Sequence, residues 1–245
     1  MNRGTVLLLA VVGAGVDAVM LVAFGVLTAA QTGNTILLGV ALGQGRWAAG
    51  LAAGTSVIGF VVGGGVGQLI IDGSRTGSGS PRIARALIVE LLLLTLVLVG
   101  WWIVGPTPGP EGQEVLVALA AIAMGIQSSV TLRLHAGPTT TYVTGTLTTF
   151  TTGMIRWLRS PRDVTRRPAG QPEQPWMYGV TWGAYLAGAV VAALLSLQSP
   201  VAALLLPIGV LALAMLAAYL NRSASRANAA MSAEASRSAS PGRPG

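Results

Sequence analysis

Residues 31–39, Gln-Thr-Gly-Asn-Thr-Ile-Leu-Leu-Gly, and residues 141–149, Thr-Tyr-Val-Thr-Gly-Thr-Leu-Thr-Thr, interrupt a chain otherwise built of long apolar runs. An unsatisfied peptide group in hydrocarbon costs several kcal/mol, so non-helical backbone survives in a bilayer only when enclosed by protein or lining a wet cavity. Two such interruptions at corresponding places predict a polytopic membrane protein with a polar site near mid-membrane. Thr32, Gly33 and Asn34 in the first, and Thr144, Gly145 and Thr146 in the second, are its candidate substrate-binding residues.

Working outward, 52% of the 245 residues are hydrophobic and 9% charged, a balance that excludes a soluble globular domain. The formal charge is +7, and every basic residue is arginine. These arginines lie in short connections and near the C-terminus without interleaved aromatics, the pattern of positive-inside loops and not of nucleic-acid binding. With no cysteine and a single histidine, His135, neither a disulfide nor a metal cluster is expected, and no catalytic set or cofactor motif is recognised. The arginine, alanine and glycine usage suggests a bacterial source, by association only. A non-enzymatic protein of the bacterial inner membrane is the expectation.

Apolar stretches at residues 5–27, 47–71, 83–104, 115–134, 176–197 and 201–220 are each long enough to cross a ~30 Å hydrocarbon core as helices. The first follows a basic start, as a secretory signal would, but runs past Asp17 and is too long for one. Residues 36–43 would reach only about half way across as a helix, and the threonines of residues 142–158 suit a helix held among neighbours. The expected fold is therefore all-α, with six spans plus two short re-entrant or broken half-helices. Residues 1–220 are expected to form one membrane domain, and residues 221–245 read as a disordered cytoplasmic tail.

The halves 5–104 and 115–220 repeat features in order. Gly13 corresponds to Gly125, Thr32-Gly33 to Thr144-Gly145, Arg46-Trp47 to Arg156-Trp157, and Gly59 and Gly63 to Gly179 and Gly183, each after roughly 110 to 120 residues. Thr-Gly also occurs at Thr76-Gly77 and Thr152-Gly153, so the order carries the reading and not the dipeptide. An odd number of spans in each half would make the repeat inverted, with both termini and the loop arginines in the cytoplasm. Arg46 would then lie outside, against that trend.

Asp17, Glu90 and Arg133 are ionisable groups inside predicted spans, where such residues face a cavity or a partner. Asp17 and Glu90 fall roughly 18 Å and 11 Å above the same membrane face by helical rise, near enough to share one cavity. Arg133 is placed to snorkel or to pair with Glu90. Gln127 needs partners across helices or on a solute. The half-helix N-termini favour a small polar or anionic solute, although Thr and Asn there also serve as ordinary caps. The glycines at 59, 63, 67, 179 and 183 predict close helix packing, and Trp101, Trp102, Trp157 and Trp176 an interfacial belt.

Asp17, Thr32-Gly33-Asn34, Glu90, Gly125-Ile126-Gln127, Arg133 and the threonine-rich run ending at Thr146 together resemble the YoaK-like family, domain of unknown function 1275. The resemblance covers residues 8–220 and implies a polytopic bacterial inner-membrane protein. It brings no activity, substrate or cofactor. Two classes follow from the residues: a small-solute permease with Asp17 or Glu90 as proton carrier, or a non-transporting scaffold or partner subunit. The lipid bilayer is the one partner implied. A homo-oligomer is not inferable.

Overall fold

The computed structural model describes residues 3–72, 81–105, 107–134, 143–159 and 175–238. These form α1 (Arg3–Phe24), α2 (Gln31–Gly43), α3 (Trp47–Asp72), α4 (Pro81–Val104), α5 (Pro110–Arg133), α6 (Val143–Arg159), α7 (Trp176–Ser196) and α8 (Pro200–Ser238). Six are long and apolar enough to cross a membrane. Many of their large apolar side chains point away from the bundle, with Ile58 at 67%, Leu69 at 79% and Leu92 at 58% exposure. Such a surface would aggregate in water and is stable in lipid. This is an all-α polytopic membrane protein.

The sequence places helix ends where the chemistry requires them. Gly25, at φ 70°, ends α1 in the left-handed conformation that glycine adopts without strain. Pro110 opens α5 at a position where its missing N–H costs nothing, followed by Glu111 in the first turn and Arg133 in the last, each suited to the helix dipole. Past residue 220 the chain continues α8 to Ser238, where a disordered tail was expected. The reason is local: alanine and arginine are strong helix formers, and neither glycine nor proline occurs between Pro207 and Pro241 apart from Gly209.

Helix directions follow from side-chain pairs. Gly59, Gly63 and Gly67 of α3 lie against Ala118, Ile122 and Ile126 of α5, so these helices run parallel. Glu90 meets Gln127 and Gly100 meets Leu116, so α4 runs antiparallel to α5. Phe24, at the end of α1, stacks on Trp101 near the end of α4, with centroids 4.8 Å apart. Val26 clusters with Ala52 and Ala53 of α3 and Val117 of α5. The chain therefore leaves α1 and starts α3 at the same end of the bundle. The 13 residues of α2, roughly 20 Å long, turn back without crossing.

About two thirds of α1 and of α5 is buried, against a third or less of the other spans, so these two form the centre. Around them α3 packs on α5 and α7 on α1, α4 on α5 and α8 on α1, α2 on α3 and α6 on α7, with α3 against α4 and α7 against α8. Exchanging α1 to α4 with α5 to α8 maps each of these contacts onto another.

Candidate functional site

Asp17 on α1 reaches the break between α1 and α2. Its Oδ1 accepts hydrogen bonds from the backbone N–H groups of Thr28 (2.6 Å) and Ala29 (2.7 Å) and from the Thr28 hydroxyl (3.2 Å). Its Oδ2 accepts from the Ala30 N–H (3.1 Å) and the Tyr185 hydroxyl of α7 (3.1 Å). The carboxylate thus sits at the N-terminus of α2, where free N–H groups and the dipole favour negative charge. It performs the capping that Ala30, the residue preceding α2, lacks a side chain to provide.

Asn34 closes the same break from the other side. Its Oδ1 accepts from the Leu27 N–H (2.9 Å), and its Nδ2 donates to the Leu27 carbonyl (2.6 Å), the Ser56 hydroxyl (2.8 Å) and Gln31 Oε1 (2.9 Å). Ser56 itself donates to the Leu27 carbonyl at 2.6 Å. The interruption thus lies at residues 25–30, ahead of Thr32, Gly33 and Asn34, which form the first turn of α2. Thr32 is exposed, Gly33 abuts Leu27, and Asn34 is fully buried. The expected boundary differs because two side chains satisfy the loop backbone and let the helix begin at Gln31. Nothing in the local sequence names Asp17 as their acceptor.

Gln127 and Glu90 form a second polar layer beside the first. Gln127 Nε2 donates to Glu90 Oε1 at 3.0 Å, and both residues are fully buried. Among the described residues Glu90 Oε2 and Gln127 Oε1 have no hydrogen-bond partner. A Cβ at Gly13 would lie 3.2 Å from Gln127 Oε1 and 3.9 Å from the Ala29 side chain, so Gly13 stands between the two layers. Asp17 and Glu90 have separate partners. Arg133 is exposed in the last turn of α5, and the partner of Glu90 is Gln127.

Thr144, Gly145 and Thr146 lie in the first turns of α6, with Thr146 buried and Thr144 exposed. Of the second interruption, residues 141 and 142 fall outside the described residues, as does His135. Trp101, expected at the interface, is fully buried against Phe24, while Trp102 is 75% exposed. The glycine series also divides. A Cβ at Gly63 would come within 2.1 Å of the Ile122 carbonyl, and one at Gly179 within 2.8 Å of the Phe150 ring, whereas nothing approaches Gly183 within 4 Å.

Fold and polar layers together define a multi-pass membrane protein with a short helix that turns back and a buried polar core. The chain belongs to the family described as "Protein of unknown function (DUF1275)", whose model matches residues 5–217. It is 31% identical over 148 residues to the UPF0700 transmembrane protein YoaK of Bacillus subtilis (strain 168), covering 59% of this chain and 64% of that relative. No solved structure matches.

Proposed function

We propose that the chain is a small-solute permease of the bacterial inner membrane, with its path beside the layer formed by Glu90, Gln127 and Gly13. The observation that carries this reading is the pair of buried acceptor oxygens, Glu90 Oε2 and Gln127 Oε1, with no donor among the described residues. A buried polar atom without a partner costs about 1–3 kcal/mol, which a donor on a solute, a water or a transferred proton would offset. Because Asp17 already fills the α2 N-terminus, the solute favoured here is a hydrogen-bond donor and not an anion. Of the two candidate proton carriers, Asp17 and Glu90, this reading takes Glu90.

The exchange of helix contacts between the halves supports an internal repeat, and the return of α2 supports an inverted one. Arg75, Arg82, Arg85 and the arginines at 159–167 then share a face with both termini, which the positive-inside rule places in the cytoplasm. No enzymatic role is part of this proposal.

A second reading rests on Asp17. Its five accepted hydrogen bonds leave the first break internally satisfied, as suits a non-transporting scaffold or partner subunit. One experiment separates the two. Single cysteines at Gln127, Asn34 and Thr146 of this cysteine-free chain, treated with a membrane-impermeant thiol reagent, should label from one face in a permease. Absence of labelling at all three sites, with no flux of urea, glycerol or protons into proteoliposomes, would leave the scaffold reading.

A further inference from the structure

At the end of the bundle where α1 stops and α3 and α5 start, a cavity of about 470 Å³ opens between Phe24, Leu37, Arg46, Leu51, Gln113 and Glu114. It is distinct from both polar layers and makes no use of the transport reading. Its volume falls in the range of small-molecule sites, and its walls are mostly apolar with a few polar groups, as in such sites.

Two features of the lining select the occupant. Arg46 is exposed and its guanidinium has no partner among the described residues, and Glu114 Oε2 is buried without a donor. Opposite charges thus line one cavity without forming an ion pair with each other. The apolar lining continues onto Leu37 and Leu51, which are 38% and 61% exposed on the outside of the bundle. Trp47 and Trp102, 72% and 75% exposed near the same end, mark the level of the headgroups.

We propose that this cleft binds the headgroup of a zwitterionic phospholipid bearing a primary ammonium, its phosphate on Arg46 and its ammonium at Glu114, with an acyl chain along Leu37 and Leu51. A bare phosphate anion would leave Glu114 unmatched, and a lone cation would leave Arg46 unmatched. A quaternary ammonium cannot donate a hydrogen bond, so a choline headgroup would meet the charge of Glu114 without supplying its missing donor.

The test uses the full chain, purified in detergent and stripped of lipid, with phosphatidylethanolamine and phosphatidylcholine of identical acyl chains added in turn. Retained lipid is counted by native mass spectrometry, and stability is followed by thermal unfolding. The expected result is at least tenfold preferential retention of phosphatidylethanolamine, with a raised Tm. Glu114→Gln should erase that preference, and Arg46→Gln should lower retention of both lipids. Equal retention by the native chain would overturn the proposal, as would an unchanged preference in Glu114→Gln. Free leucine or phenylalanine raising the Tm and displacing the lipid would overturn it in favour of a soluble zwitterion. Because Arg46 is exposed and Glu114 lies close to the start of α5, neither variant threatens folding, and a cooperative melt of each confirms it.

Discussion

At the residue scale, Asp17 explains how an apolar chain tolerates an interruption. Five donors converge on its two oxygens, three of them the backbone N–H groups of Thr28, Ala29 and Ala30. Asp17→Asn puts an NH₂ group among N–H donors, leaving at least one buried group unsatisfied and weakening the remaining bonds. A loss of about 2–4 kcal/mol is expected, seen as a lowered Tm in detergent. Tyr185→Phe removes one hydroxyl donor and should cost about 1 kcal/mol. Were Asp17→Asn as stable as the native chain, its carboxylate would not be what holds the loop. The sequence made Asp17 conspicuous as an intramembrane charge without naming the groups it would hold. The identity of its partners depends on a fold that brings residues eleven to thirteen positions away, and Tyr185 across the chain, to one point.

At the scale of elements, the α3 and α5 pair depends on the absence of side chains. A Cβ at Gly63 would lie 2.1 Å from the Ile122 carbonyl, and one at Gly125 would lie 2.2 Å from the Phe60 carbonyl. Both obstacles are backbone, which cannot rotate away as a side chain can. Gly63→Ala and Gly125→Ala should each cost about 1–3 kcal/mol or more by forcing the helices apart. Gly65→Ala, with nothing within 4 Å, should instead be neutral or gain up to about 1 kcal/mol from helix propensity. Equal melting of all three variants would contradict this packing. The six spans were readable to within a few residues because length and apolarity alone set them. Gly183 was not separable from Gly63 by spacing, since what a glycine faces is fixed by tertiary approach. Trp101 likewise reads as interfacial from its position near a span end, and only its stacking on Phe24 places it inside.

At the scale of the whole molecule, α1 and α5 sit inside a shell of helices whose outward surfaces are apolar. With α2 turning back, connections lie alternately on opposite faces. A cysteine at Gly109 should react with an impermeant thiol reagent on intact cells, whereas one at Gly77 should react only after permeabilisation. Reversal of that pattern would invert the proposed orientation. The proposed two-half organisation was read in the sequence from an ordered series of weak matches. What the sequence could not supply was the mutual embrace of the halves, which rests on tertiary contacts such as Gly63 on Ile122 and Gly188 on Val11.

That embrace makes covalent continuity dispensable in the middle. The principal pairings α3 with α5, α1 with α7, α1 with α8 and α4 with α5 all join residues before Gly105 to residues after Gly109. Scission there, producing two co-expressed polypeptides, should still yield one assembly that survives purification on a tag borne by either fragment.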